Sequence, residues 1–153
     1  MKYTVLALCA VTLSGCASIL NDARQDVRVQ TKSPDGQIVA DAQCTLRNER
    51  ETVQSASDST AKVRRSADDL HIHCTHPAYP DANARAISRA NKEMAGNAFF
   101  LFGLGATLDH NLGKGYTYPG WIQPVFGQNL VFDRRDEREG SPVLAQTDEG
   151  AAQ

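Results

Sequence analysis

Leu70-His71-Ile72-His73-Cys74-Thr75 places Leu70, Ile72 and Cys74 on one side of an extended chain and His71, His73 and Thr75 on the other. A period of two marks a half-buried strand, because successive side chains of a strand point to opposite faces. The same rhythm recurs upstream. Val27 and Val29 alternate with Arg28 and Gln30 within Gln25 to Thr31, and Ala42, Cys44 and Leu46 share one face of Asp41 to Arg47. Between these two segments, Ser33-Pro34-Asp35-Gly36 combines a proline that fixes φ with a glycine that tolerates positive φ, which is turn chemistry. Asn48 to Arg50 is polar enough to turn the chain again. Thr52 to Ser57 and Thr60 to Arg64 offer only Val53, Ala61 and Val63 as inward positions, the weak pattern of edge strands. Asp68-Asp69 turns into the Leu70 strand. Asn83 to Ser88 adds a last strand with Ala84 and Ala86 inward, although its alanines and arginine suit a helix nearly as well. The expected fold is mainly β: a small antiparallel β-sandwich over residues 25–90.

The N-terminus carries an address. Lys2 is followed by the apolar run Val5 to Leu13, too short to span a bilayer as a helix. Leu13-Ser14-Gly15-Cys16 then reads as a lipobox, so residues 1–15 are expected to be a lipoprotein signal peptide and Cys16 the lipidated first residue of the mature chain. Residues 16–24 form a tether. Ala17, and not aspartate, follows the cysteine, which by resemblance to the sorting rule of enteric lipoproteins implies the periplasmic leaflet of the outer membrane.

With Cys16 taken by lipid and Cys9 discarded, Cys44 and Cys74 are left in an exported, oxidising setting. Two independent alternations put both on inward faces, so they are expected to pair as a disulfide. The formal net charge of −2 becomes −3 once Lys2 is removed, leaving no field to attract nucleic acid.

Downstream the character changes. Ala95 to Leu108 is fourteen residues without a charge, short of the roughly 20 needed for a membrane span, and Asp109 to Gly113 ends it with helix-stop residues. It admits three readings: a buried helix closing the sandwich, an interfacial helix inserted in lipid, or a self-association surface through Gly96, Gly103 and Gly105. Tyr116-Thr117-Tyr118-Pro119 and Trp121 to Phe126 form an aromatic segment broken by prolines, suited to an edge strand or a packing arm. Residues 91–127 therefore read as apolar helix plus aromatic arm, and residues 128–153, charged and then small and polar, as a disordered tail.

The order of these parts resembles a group of proteobacterial outer-membrane lipoproteins with a PEGA-like, prealbumin-like β-domain followed by a glycine-containing apolar helix. The residues that carry the likeness are Cys16-Ala17-Ser18-Ile19, the Gln25 to Thr31 strand with its Pro34-Asp35-Gly36 turn, the Cys44 and Cys74 strands with Tyr79, and Asp109, Gly113, Tyr116 and Tyr118-Pro119. Ser33-Pro34-Asp35-Gly36 stands near the place of the PEGA tetrapeptide, which is itself absent. The resemblance implies a shape and a location but no reaction.

Residues with chemistry are few. His71 and His73 share a strand face, the spacing that lets two imidazoles reach one zinc or copper ion, with His76 beyond the strand end as a third ligand; solvent-facing histidines are the plainer reading. No acidic residue is placed locally as a general base, and no nucleophile elbow, phosphate loop or dinucleotide fingerprint occurs. Tyr116, Tyr118 and Trp121 are the candidate aromatic anchors for a partner, with burial in the core as the alternative. The function expected is that of a non-enzymatic envelope module without cofactor, anchored to the membrane by its lipid and meeting envelope proteins or peptidoglycan. The alternatives are a periplasmic metal-binding protein, or a secretion-complex component whose apolar helix enters lipid.

Overall fold

The computed structural model describes residues 23–90 and 115–148. The lipobox ending at Cys16 and the run Ala95 to Leu108 lie outside the described residues. The strands are β1 (Arg24–Val29), β2 (Gln43–Arg47), β3 (Thr52–Ala56), β4 (Ser59–Arg64), β5 (Leu70–His76), β6 (Tyr79–Ala86), β7 (Arg89–Ala90), β8 (Tyr116–Thr117), β9 (Trp121–Ile122), β10 (Asn129–Phe132) and β11 (Ala145–Thr147). One sheet has the order β4-β1-β9, a second the order β11-β10-β6-β5-β2-β3, and β7 pairs with β8. The molecule is a mainly β, sandwich-like structure. Among the described residues the only helical element is a short 3-10 turn at Arg134–Asp136, and no helix is long and apolar enough to cross a membrane.

Alternation decides which residues enter the core. Val27 and Val29 of β1, Ala61 and Val63 of β4 and Ile122 of β9 are buried from one sheet; Cys44 and Leu46 of β2, Leu70, Ile72 and Cys74 of β5 and Ala82, Ala84 and Ala86 of β6 are buried from the other. The weak segments at Thr52 and Thr60 do become edges, β3 of the larger sheet and β4 of the smaller. The chain passes between them through a corner at Ser57 and Asp58, where Asp58 takes a φ of 55°. Asparagine and aspartate are the side chains that tolerate this left-handed region best after glycine. The expected turn also forms: Gly36 N–H donates to the Ser33 carbonyl at 2.9 Å, and Gly36 has a φ of 86°.

Cys44 and Cys74 are register partners on β2 and β5, and they form a disulfide with their Cα atoms 4.0 Å apart. Both sulfurs lie in the core, where both residues are fully buried.

The strand reading of Asn83 to Ser88 holds as far as Ala86, in a strand that begins earlier, at Tyr79, and pairs with β5 on one side and β10 on the other. Two expectations change. Residues 128–148 are not a disordered tail, and the aromatic segment before them supplies an edge strand, β9. β9 lies parallel to β1, β10 parallel to β6, and β11 antiparallel to β10, so the sandwich is not purely antiparallel and does not end at residue 90. The physical reason is volume. The buried residues of β6 are all alanines, with Tyr79 packed partly buried beside them, and Tyr118, Ile122, Phe126, Leu130, Phe132 and Val143 belong to the same core cluster. Asp133 is buried and paired with Arg89, and Arg134 pairs with Glu137, so part of this charged stretch is tied into the fold, while Arg135, Arg138 and Glu139 stay exposed.

Tyr118, read as a partner anchor, is 1% exposed and joins five segments. Its hydroxyl donates to the Asp68 carbonyl at 2.8 Å and accepts from Asn48 Nδ2 at 3.1 Å, while Asn48 Nδ2 also donates to the Arg64 carbonyl at 2.7 Å. The Gln25 side chain pairs with the Tyr118 backbone as a strand would: Nε2 donates to the carbonyl and Oε1 accepts from the N–H, both at 2.9 Å. Burial pushes the Tyr118 phenol above its ordinary pKa, so it stays a neutral donor.

Two outcomes follow. Replacing Cys44 and Cys74 together by alanine should lower stability by about 3–4 kcal/mol, the chain-entropy value for a closed loop of this length; a urea midpoint unchanged by the substitution would contradict it. Tyr118→Phe should cost about 1–3 kcal/mol by leaving buried groups unpaired, read from the same denaturation curves, with the secondary structure retained.

Candidate functional site

The outward face of the larger sheet is polar, and its register brings together residues far apart in sequence. Arg47 of β2 stands opposite His71 of β5, and His71 stands opposite Arg85 of β6. In antiparallel pairs such opposite residues have Cβ atoms about 5 Å apart. These three basic side chains thus form a row across three strands. The row opens onto a cleft of about 740 Å³ whose lining also includes Asn48, Glu49, Asp68 and Asp69.

Part of this lining is a fixed frame. Arg85 donates to Asp69 Oδ2 at 3.1 Å and to Asp148 Oδ1 at 3.3 Å, and Asp69 Oδ1 accepts from the Ser88 N–H at 2.8 Å. Desolvation works to lower the Arg85 pKa, but hydrogen bonds to the two carboxylates outweigh it and raise the value, so the guanidinium stays charged. Asp68 is held through its backbone: its N–H donates to Ser66 Oγ at 3.1 Å and its carbonyl accepts from Tyr118. The Ser66 hydroxyl in turn donates to Glu49 Oε1 at 2.5 Å. Arg47, His71 and the Asp68 carboxylate make no hydrogen bond or ion pair among the described residues and face the cleft.

The three histidines are not gathered. His71 and His73 project outward from β5, whereas His76 turns toward the core side, its ring 5.2 Å from Tyr79 and 5.9 Å from Phe126. His73 Nδ1 lies 3.0 Å from Asn83 Oδ1, and its Nε2 is 3.5 Å from Asp81. His76 Nδ1 accepts from the Ala78 N–H at 3.1 Å, which leaves Nε2 to face Asp41 at 3.1 Å. Carboxylates absent from the local sequence are thus supplied by the topology. Among the described residues no group of three or more metal-ligating side chains assembles.

The aromatic trio separates as well. Tyr118 is in the core, Tyr116 sits half-buried in β8, and Trp121 lies on the outer side of β9 with the Arg28 guanidinium 4.3 Å from its ring centroid. That stacking follows from register, since Arg28 and Trp121 are parallel partners. Arg28 also donates to Asp58 Oδ1 at 2.8 Å, so this cation is already engaged. The cleft residues Arg47, Asp68, Asp69 and Arg85 were not singled out in the sequence. Their signal was present only as outward strand positions for Arg47 and Arg85 and as a turn for Asp68-Asp69, and it becomes a site only once pairing is known.

Beside the cleft, Arg89 grips Asp133 through Nε at 3.1 Å and Nη2 at 2.5 Å. The Arg89 hydrogen bonds hold the Asp133 carboxyl below its ordinary pKa. A carboxylate whose folded pKa is depressed stabilises the fold above the usual carboxylate range and loses that contribution as pH falls through the folded value. Asp133→Asn should therefore flatten the acid side of the stability profile, with little change in slope between pH 6 and 8 (a window of about two pH units set by the carboxylate range). Acid unfolding followed by tryptophan fluorescence reads this, and an unaltered acid limb would contradict it.

No protein-family model, curated protein or solved structure matches the chain.

Proposed function

We propose that the protein is a non-catalytic lipoprotein of the bacterial envelope, held by acylated Cys16 at the periplasmic face of the outer membrane and presenting its sandwich to envelope proteins or peptidoglycan. The observation that carries this reading is Leu13-Ser14-Gly15-Cys16 at the end of a short apolar run behind Lys2. The Cys44–Cys74 disulfide supports it, because such bonds persist in oxidising compartments. So does the order of parts shared with PEGA-like lipoproteins: lipobox, tether, alternating strands. Anchoring supplies the mechanism. A module confined near a surface meets its partner at raised effective concentration, so modest contacts suffice.

Expression in a Gram-negative host fed a palmitate analogue tests the anchor. The wild-type chain should incorporate the label and fractionate with outer membrane, whereas Cys16→Ala should take up none and accumulate as an unprocessed precursor. Labelling that persists in Cys16→Ala, or a wild-type chain that takes up no label, would overturn the reading.

A further inference from the structure

The charges around the cleft divide into those already satisfied and those left over. Arg85 is held by Asp69 and Asp148, Glu49 by Ser66 and Arg50, and Arg89 beside the cleft by Asp133. What remains facing the cleft is Arg47 beside His71 on β2 and β5, and the Asp68 carboxylate on the turn that precedes β5. We propose that this cleft binds a small zwitterionic ligand of the amino-acid or peptide-terminus class, its carboxylate taken by Arg47 and His71 and its ammonium group by Asp68.

The chemistry selects this class. A guanidinium presents a planar fork that matches a carboxylate in two parallel hydrogen bonds, and an imidazole N–H alongside adds a third donor. Asp68 is an acceptor of the kind an ammonium group needs. A plain polyanion, such as nucleic acid, meets Glu49, Asp68 and Asp69 in the same lining; a bare metal cation meets Arg47 and Arg85. A ligand carrying both signs is opposed by neither. The groups are also pre-positioned. Arg47 and His71 stand on paired strands locked together by the Cys44–Cys74 bond, and the Asp68 backbone is held at both its N–H and its carbonyl. Little ordering of the protein is then needed on binding.

The inference deepens the proposed interaction role. It rests on that role only for the source of the ligand, which is either free peptide or the peptide stems of a cell wall. Purified full-length protein in detergent is titrated with alanyl-alanine, N-acetyl-alanyl-alanine and alanyl-alanine amide while the His71 ring resonances are followed by NMR, with His71→Gln providing the assignment. Alanyl-alanine should shift His71 in a saturable way, and each blocked form should bind about tenfold more weakly, equivalent to about 1.4 kcal/mol. Arg47→Ala should erase the difference between the acid and the amide, and Asp68→Asn the difference between the free and acetylated amine. Both residues are exposed, so neither substitution removes packing. No shift at His71, equal binding of the blocked forms, or variants that discriminate as the wild type does would each overturn the proposal. Co-sedimentation with isolated sacculi, lost when their amines are acetylated, identifies the cell wall as the source; failure to sediment alongside binding of alanyl-alanine identifies free peptide. Because the titration is indifferent to Cys16, failure of the anchor and failure of the site are separable.

Discussion

The space beside β6 is the constraint on which the structure depends. Ala82, Ala84 and Ala86 are the buried inward residues of β6, small side chains beside which larger ones must pack for the interior to reach its usual density. Leu130 and Phe132 of β10, the parallel neighbour of β6, and Phe126 before it belong to the same buried cluster. Tyr118 and Ile122 are buried on the side of β1, whose parallel neighbour is β9. The parallel strands, the buried tyrosine and the ordered C-terminal segment are thus one solution to a single packing problem. The disulfide complements it by fixing β2 to β5, the pair that carries most of the aliphatic core of the larger sheet.

Local pattern made much of this legible. Leu70, Ile72 and Cys74 announced their strand and its inward face, Cys44 did the same from an independent segment, and their pairing followed from the two faces together. The poor inward sets at Val53 and Ala61 marked edges correctly, because an edge strand has fewer neighbours to pack against. The strands at 129–132 and 145–147 were not legible. Strands of two to four residues are too short to show a period, and Pro119 and Pro124 interrupt what rhythm there is. Their assignment comes from the partner strands, which lie many tens of residues away.

The cleft illustrates a different limit. Each of Arg47, His71 and Arg85 was visible as an outward residue, and none was informative alone. Register converts three ordinary surface positions into a row, and a fixed turn sets Asp68 beside it. Histidine spacing within one strand, by contrast, drew the eye to a metal site. His76 sits past the register shift near the strand end, where the parity rule no longer carries it to the same face. A pattern read along one strand says nothing of what its neighbours bring.

The parallel pairings also set an order of events as the chain emerges from its N-terminus. The antiparallel pairs β2–β3 and β5–β6 close over short loops, and both Cys44 and Cys74 lie within this first group of strands. One edge each of β1 and β6 is paired only by strands that come later in the sequence, β9 and β10. Contacts of such long sequence separation are slow to form. Synthesis therefore delivers the first ninety residues before the segments that pair with the remaining edges of β1 and β6.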